Sequence, residues 1–433
     1  WVPLVPSKHA VKSGMVKATI SEDLTKNENR ITLPIMGKQQ SWDNAWDVYA
    51  MSNYNTITSL AESPKQKGLL YAGTDDGFIN VTENDGASWK QIKVSQLPGV
   101  PSTAFVNDIK ADLHDANTVY VALDNHKYGD FKPYLYKSTN KGQTWVSLGN
   151  ALPKNHLVWR LVQDHVAPNL LFIGTEFGVF FSTNGGQQWT PLKGNMPTIS
   201  IRDLAIQKRE NDLVAASFGR GFYILDDYSA LREASKSDLE AKAKLFPVRD
   251  AWWYIERSHL SFEANKGSQG DSHFVASNPD FGALITYYLK TVPDLKKDTR
   301  KAKEKTMANQ NIPFPGWKAL ENEKFEQKPQ LIFVIKDNTG AVVRNIFEEA
   351  KPGIKSISWD LRYPNFNPIS LNDSMTSNNE DGPTGLLAVP GTYSVTMYLS
   401  HNGNVEQLDA PVTFEVKPLY KNTLEGCHLF IEE

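Results

Sequence analysis

The chain has 433 residues, of which 40% are hydrophobic and 22% charged, a composition typical of soluble globular proteins with two or three domains. Its formal net charge of -3 provides no overall field for nucleic acid or an anionic membrane, and no stretch approaches the ~18 apolar residues of a membrane-spanning helix. The single cysteine, Cys427, excludes an internal disulfide framework and a cysteine-cluster metal site.

A short pattern occurs three times in the first half of the chain. It consists of a hydroxyl residue, any residue, Asp or Asn, any residue, Gly, two variable residues and Trp. It is found at residues 82–89 (TENDGASW), 138–145 (STNKGQTW) and 182–189 (STNGGQQW). Such a repeat indicates an architecture made of repeated structural units.

The segments before each of these boxes predict short β-strands. Runs such as LLYAGT and LLFIGT are β-rich and bounded by polar turns, and a fourth segment from Ile201 has the same pattern without the box. Four short strands in about 45 residues are the repeat of a β-propeller blade. The sequence therefore predicts about four blades in residues 57–227, and the segment from Met15 resembles the outer strand of a partial blade.

Four blades and a partial one do not close a propeller ring, whose edges need protection. We expect the ring to be completed by a missing N-terminal part of a longer protein, which we favour, or by a partner chain. The chain opens with Trp1 and shows no basic and apolar leader, which indicates an internal or processed start.

The second half of the chain predicts a different β domain. Ser229 is expected to cap a short helix to about Ala243, and KLFPVRDAWWYIE to form a strand that leaves the propeller. Several short strands follow, with a DNTG hairpin turn between two of them, which is typical of an immunoglobulin-like β-sandwich. The predicted regions are a propeller portion over 1–250, a linker over 251–281, a sandwich over 282–420 and a tail over 421–433.

The predicted sandwich contains a basic insertion near residues 294–328. Its run at 294–310 predicts a solvated helix or mobile loop, because no aromatic residues are interleaved as in nucleic-acid sites. In WDLRYP, Trp359 is expected in the core, with Asp360 and Arg362 as a surface pair.

The boxes resemble Asp-boxes, also called bacterial neuraminidase (BNR) repeats, which occur in sialidases, xyloglucan-cleaving glycosidases and sortilin-type receptors. A closer resemblance covers nearly the whole chain through SEDLT, GLLYAGTDDG, SFGRGFYILDDYSALRE, FGALITYYLK, WDLRYP and VPGTYSV, in this order. These segments are similar to the C-terminal half of large exported bacterial proteins of the sortilin-like or "glycosyl hydrolase" repeat type. The resemblance implies an all-β fold, with four-stranded propeller blades followed by an immunoglobulin-like sandwich.

In such a blade the box forms the turn between the third and fourth strands, and we expect a structural role for it. The Asn side chain would accept backbone N–H bonds, the Gly would permit a positive φ, and the Trp would pack between blades. The residues concerned are Asn84, Gly86, Trp89, Asn140, Gly142, Trp145, Asn184, Gly186 and Trp189.

The turns between the second and third strands are expected at the opposite face, at the mouth of the propeller. There the sequence places carboxylates, aromatic rings and an arginine, which suit either ligand contact or the two carboxylates of glycoside hydrolysis. The catalytic candidates are Asp75, Asp76, Asp124 and Glu176, and the ligand-binding candidates are His126, Tyr128, Phe177 and Arg220. An ordinary structural role for the turn carboxylates and a salt bridge for Arg220 remain open.

Two functions follow from these patterns. The first is an exported binding protein, periplasmic, cell-surface or secreted, that presents its mouth to a protein or glycan. The second is a glycoside hydrolase resembling the two-propeller xyloglucanases, in which this chain would supply part of the site. No sialidase signature, nucleophile elbow, phosphate loop or zinc-type His pair is present, so we expect no metal, cofactor or nucleic-acid partner.

Overall fold

The computed structural model describes residues 56–194, 196–234, 240–255, 279–307, 311–365 and 385–419, together with the backbone of 34–35 and 38–39. These residues are nearly all in β-strands and connecting turns, so the predicted all-β fold of propeller blades and a sandwich is confirmed. The chain divides into two compact units, residues 1–232 and 233–433. The predicted outer strand from Met15 lies outside the described residues.

The first unit contains a two-stranded pair and four blade sheets. Its strands are β1 (Pro34–Ile35), β2 (Lys38–Gln39), β3 (Ile57–Glu62), β4 (Leu70–Thr74), β5 (Phe78–Thr82), β6 (Lys90–Lys93), β7 (Phe105–Ala111), β8 (Val119–Asn125), β9 (Asp130–Ser138), β10 (Val146–Ser147), β11 (Val158–Gln163), β12 (Leu171–Thr175), β13 (Gly178–Ser182), β14 (Thr190–Pro191), β15 (Ile201–Gln207), β16 (Asp212–Ser217) and β17 (Phe222–Leu225).

Each blade is an antiparallel meander. The first three blades have four strands in chain order, β3–β6, β7–β10 and β11–β14, and the fourth has the three strands β15–β17 in the described part of the chain. The first strands of successive blades contact one another, β3 with β7, β7 with β11 and β11 with β15. The second strands of the first three blades, β4, β8 and β12, are buried along their length, because the sheets pack against both of their faces.

A small residue recurs in the second strand because the next blade approaches it closely. A Cβ added at Gly73 would lie 2.4 Å from Cγ1 of Val106, and one at Gly174 would lie 2.8 Å from the carbonyl oxygen of Ile201. Val106 and Ile201 belong to the first strand of the following blade. The glycine of the LLYAGT and LLFIGT runs is therefore required by blade-to-blade packing.

Every first strand carries a register irregularity at its second or third residue. Pairing with the second strand is interrupted at Thr58, Asn107, Trp159 and Arg202, one residue in each blade. Such bulges bend a strand locally and redirect the side chain of the extra residue. In all four blades, the side chain at this position therefore does not follow the alternation of side chains between the two faces of the sheet.

Asp164 joins the third blade to the end of the first unit. Its buried carboxylate accepts bonds from Nε and Nη2 of Arg232, both at 2.9 Å, and from the Tyr228 hydroxyl at 2.6 Å. Burial raises the pKa of Asp164, but the bonds from Arg232, Tyr228 and the Ala167 N–H outweigh it and lower this pKa to about 2. The pair therefore holds Asp164 ionised at neutral pH.

The ends of the predicted helix from Ser229 to about Ala243 differ from the prediction, and residues 235–239 between them lie outside the described residues. Tyr228–Arg232 forms a short 3-10 helix, and Ala243 begins a strand. The reason is tertiary, because Arg232 is bound to Asp164 and Ala243 pairs with Leu289.

The second unit contains nine strands and two helices in its described residues. They are β18 (Ala243–Leu245), β19 (Ala251–Trp253), β20 (Ala283–Leu289), α1 (Lys296–Thr306), α2 (Trp317–Lys324), β21 (Gln330–Asp337), β22 (Val342–Glu349), β23 (Gly353–Trp359), β24 (Gly391–His401), β25 (Asn404–Gln407) and β26 (Val412–Pro418).

These strands form two sheets around one core. One sheet has the order β18-β20-β23, and the other has the order β19-β26-β24-β21-β22, with β25 paired to β24. Trp359 is 0% exposed and makes edge-to-face contacts with Tyr393 and Phe414 of the opposite sheet. The Arg362 Nη1 donates to the Gly385 carbonyl oxygen, and Asp360 accepts the Arg362 N–H.

The boundary between the two units differs from the predicted boundary at residue 250. The strand β18, predicted to leave the propeller, pairs with β20, and β19 pairs with β26 in parallel. Leu245 and Ala251 are buried in the sandwich core. The predicted linker at 251–281 falls mostly outside the described residues, and the basic run contains the exposed helix α1.

Candidate functional site

The box at residues 182–189 uses its polar groups within its own turn, between β13 and β14. The Ser182 hydroxyl accepts the Gly186 N–H at 2.9 Å and donates to the Asn184 side-chain oxygen at 2.9 Å. The same oxygen accepts the Gln188 N–H at 3.0 Å. Gly186 has a φ of 91°, and the Trp189 indole donates to the Leu148 carbonyl of the preceding blade.

The other two boxes repeat these bonds. Their hydroxyl-to-Asn and Gly-to-hydroxyl contacts are 2.8–3.0 Å long. They are formed by Thr82, Asn84 and Gly86 before Trp89, and by Ser138, Asn140 and Gly142 before Trp145. A structural role for all three boxes is therefore our proposal.

Replacement of Ser182 by alanine is expected to lower the free energy of unfolding of the first unit by about 1–2 kcal/mol, because the buried Gly186 N–H loses its acceptor. Urea denaturation combined with hydrogen exchange of the third blade measures this effect. Thr183→Ala, in the same box but without a hydrogen bond of its hydroxyl in the described contacts, serves as the control. Equal losses in the two variants would contradict the proposal.

The mouth face is the end of the blades opposite the boxes, since consecutive strands are antiparallel. It contains the turns between second and third strands and the starts of the first strands. Asp75 and Asp76 lie in the turn between β4 and β5, and both are buried. The Asp75 carboxylate accepts the Thr56 N–H at 2.7 Å, which fastens the start of the first blade.

The remaining candidate carboxylates are also engaged within the protein. Asp124 is 0% exposed, and its Oδ2 lies 2.6 Å from Nδ1 of His126. Glu176 Oε2 accepts the Trp159 indole N–H at 2.9 Å and the Ser200 hydroxyl at 3.1 Å. These carboxylates orient aromatic and hydroxyl neighbours at the mouth.

The other sequence candidates occupy different surroundings. The Tyr128 hydroxyl is buried, and burial raises the pKa of this group. Phe177 is about half exposed and packs edge-on against His156, with ring centres 4.9 Å apart. Arg220 is exposed in the turn between β16 and β17.

A row of cationic and aromatic side chains crosses the mouth face from the second blade to the fourth. Successive members are separated by 4.9, 6.1, 5.9, 3.6 and 5.0 Å between ring centres and charged groups. We call this set the mouth row, and its members in order are Lys127, Phe105, His126, Trp159, Arg202 and Phe218.

Arg202 is the central cation of the mouth row. Its guanidinium lies 3.6 Å from the ring centre of Trp159 and 5.0 Å from that of Phe218, as in cation–π contacts. Its Nε donates to the Ser200 hydroxyl at 3.1 Å, and it forms no salt bridge among the residues that the structure describes. Trp159 and Arg202 are both bulge residues, which explains why they face the mouth.

Sequence patterns identified His126, but missed Phe105, Lys127, Trp159 and Arg202. Trp159 and Arg202 are each the second residue of a first strand. The later residues of these strands tend to alternate between buried and more exposed side chains. Aligning the four first strands on an apolar residue near their start would have revealed the next position as a variable column. The apolar residues are Ile57, Val106, Val158 and Ile201, and the column is Thr58, Asn107, Trp159 and Arg202.

Within the described residues, no group of three or more His, Cys, Asp or Glu side chains is arranged to hold a metal ion. None of the described helices has the length and apolar character that spanning a bilayer requires.

Comparison with solved structures finds β-propeller proteins. A GH74 enzyme of Niastella koreensis is 16% identical, with a TM-score of 0.33, over 41% of this chain and 29% of that chain. YCF48 bound to D1 peptide is 12% identical, with a TM-score of 0.31, over 54% and 64%. The extracellular domain of a hybrid two component system from B. thetaiotaomicron is 9% identical, with a TM-score of 0.32, over 88% and 40%.

The matched regions span less than two thirds of each of these proteins, and the likeness concerns the fold alone. No protein-family model matches the sequence, and no curated protein matches it significantly.

Proposed function

We propose that the chain is a protein-binding β-propeller whose mouth row holds a carboxylate of its ligand against Arg202. The observation that carries this proposal is the Arg202 guanidinium, which stacks on Trp159 and lies near Phe218 without a carboxylate partner among the described residues. Stacking restricts a guanidinium while leaving its planar N–H groups available for a two-bond contact with a carboxylate.

The aromatic side chains of the mouth favour a protein ligand over a glycan. Trp159 is buried and one face of its ring is covered by Arg202, so it offers no open platform for a sugar ring. Exposed rings at the mouth include those of Phe177 and Phe218. Arginine and aromatic residues are enriched in the centres of protein interfaces and contribute most to their affinity.

The glycoside hydrolase alternative has less support. Hydrolysis needs an acid and a base or nucleophile that reach the same glycosidic bond. Asp75, Asp76 and Asp124 are buried, and Glu176 is bound by Trp159 and Ser200. Asp124 and Glu176 contact His126 and Trp159 of the mouth row, and Asp75 holds the Thr56 N–H.

The sequence resemblance also supports a proposal about the location of the protein. The three boxes and the ordered segments are similar to exported, sortilin-like Asp-box proteins, and we propose an exported location on that ground. We also propose that further blades, from a longer chain or a partner subunit, complete the ring beside the fourth blade.

Selection of a displayed random-peptide library against the 433-residue chain tests the proposal. We expect selected peptides to be enriched in Asp or Glu next to apolar residues. Arg202→Ala is expected to weaken the binding of a selected peptide at least about tenfold, because it removes a central interface arginine. Arg202→Lys keeps the charge but not the planar donors, and is expected to restore only part of the affinity.

Arg220→Ala is the matched control, since Arg220 is an exposed arginine of a mouth turn without an aromatic stack in the described contacts. Its effect on peptide affinity is expected to stay below about threefold. Equal weakening by Arg202→Ala and Arg220→Ala, or an absence of selected peptides, would overturn the proposal. Hydrolysis of xyloglucan by the same chain would instead favour the glycosidase alternative.

A further inference from the structure

The helices α1 and α2 form an antiparallel hairpin that is attached at its base. The Lys296 N–H, at the start of α1, donates to the Glu326 carboxylate beyond the end of α2 at 2.7 Å. Nε and Nη2 of Arg300 hold the Glu323 carboxylate at 2.7 and 2.8 Å. Asn402, in the turn between β24 and β25, contacts Glu326 on the sandwich side.

The rest of the hairpin lies at the surface. Neither helix contains a buried residue, so neither is packed into the sandwich core. Eleven residues of α-helix reach roughly 16 Å, at 1.5 Å per residue. Because the helices are antiparallel, the end of α1 and the start of α2 lie at the end of the hairpin opposite the base, which we call the tip.

The tip is apolar although the helices are polar. Trp317 is 80% exposed and Phe314 is 61% exposed, and their rings contact each other edge-on at 5.1 Å. Ile312 and Met307 are exposed beside them. A cluster of exposed large apolar side chains is costly in water and marks an interaction site.

Cationic side chains surround the apolar tip. Lys303 and Lys305 lie in the last turn of α1, and Lys318 follows Trp317 in α2. All three are exposed and form no salt bridge among the described residues. The overall net charge of -3 does not cancel this local charge, because exposed charges are screened beyond about 10 Å.

We propose that this hairpin tip docks on an anionic lipid bilayer. Exposed aromatic side chains enter the boundary between headgroups and acyl chains, and flanking lysines contact anionic headgroups. A bilayer deforms around such a tip, whereas a rigid protein partner needs a matching pocket. The apolar side chains of the tip and the three lysines near them provide the two signals that reversible membrane attachment requires.

Cosedimentation with phosphatidylcholine vesicles, with and without phosphatidylglycerol, tests the proposal on the 433-residue chain. We expect binding to the anionic vesicles, and at least about tenfold weaker binding of Trp317→Ala. The double variant K303Q/K305Q is expected to bind about tenfold or more weakly, since each basic residue near an anionic surface adds about fivefold. Trp252→Ala, a partly exposed tryptophan of β19, is the control and is expected to change binding less than about twofold.

Three results would overturn the proposal. These are an absence of wild-type binding to anionic vesicles, equal losses for Trp317→Ala and Trp252→Ala, and competition by soluble glycerophosphoglycerol, which would indicate a headgroup site without bilayer insertion. If the chain binds a protein or a nucleic acid but no anionic vesicles, the proposal is also overturned. Arg202→Ala is expected to leave vesicle binding unchanged, which separates this test from that of the mouth row.

Discussion

Replacement of Asp164 by alanine is expected to lower the free energy of unfolding of the first unit by about 3–5 kcal/mol, because Arg232 then keeps its charge in a largely buried position without its partner. The Tyr228 hydroxyl and the backbone N–H of Ala167 lose the same acceptor. Guanidinium denaturation, with hydrogen exchange resolved for peptides of the first unit, measures the loss. Asp203→Ala, at an exposed carboxylate 3.4 Å from Arg160, should cost at most about 1 kcal/mol.

The pH dependence of stability provides a second readout of the same carboxylate. The pKa of Asp164 is lowered to about 2 in the folded protein, against about 3.9 for an unfolded aspartate. A lowered folded-state pKa stabilises the protein above the unfolded pKa, and this stabilisation disappears as the pH falls from about 4 to 2. We expect Asp164→Asn to lose less free energy of unfolding than the wild type as the pH falls from about 4 to 2. An unchanged pH dependence in this range would contradict the lowered pKa of Asp164.

Replacement of Trp359 by alanine is expected to cost about 3–5 kcal/mol of the free energy of unfolding of the second unit, because it opens a large cavity between the two sheets. The indole also loses its edge-to-face contacts with Tyr393 and Phe414, and its N–H bond to the Arg362 carbonyl. Chemical denaturation followed by hydrogen exchange in the sandwich measures this loss.

Trp317→Ala is the matched control for Trp359→Ala. Trp317 is 80% exposed at the hairpin tip, so its removal should change stability by no more than about 0.5 kcal/mol. A comparable loss in both variants would mean that the tip is packed in solution, and it would also weaken the case for a bilayer-docking surface.

The blades were predictable because their signals are local. Ser182, Asn184 and Gly186 form a turn from bonds within five residues, so spacing alone indicates it. The glycine before the second-to-third turn also repeats in the first and third blades, at Gly73 and Gly174, since the next blade approaches both positions closely. Local chemistry repeated once in each of the first three blades therefore predicted the fold of the first half.

The candidate site was less predictable because it is assembled across blades. Trp159 and Arg202 are separated by a whole blade in sequence, and each faces the mouth through a bulge that hydrophobic alternation does not reveal. The strand β18 was assigned to the propeller for a related reason. Its partner β20 lies some forty residues later, and no local pattern indicates such pairing.

The repeated bulge frees one side chain of each first strand from the regular pairing with the second strand. In the first two blades the side chain at this position ties to the next blade, since the Thr58 hydroxyl donates to the Val106 carbonyl and the Asn107 amide to the Val158 carbonyl. In the third and fourth blades it supplies Trp159 and Arg202 to the mouth row. One position per blade can therefore change its chemistry without altering strand pairing or the boxes. The binding surface that we propose can therefore differ from blade to blade, as loops do on other scaffolds, while strand pairing is kept.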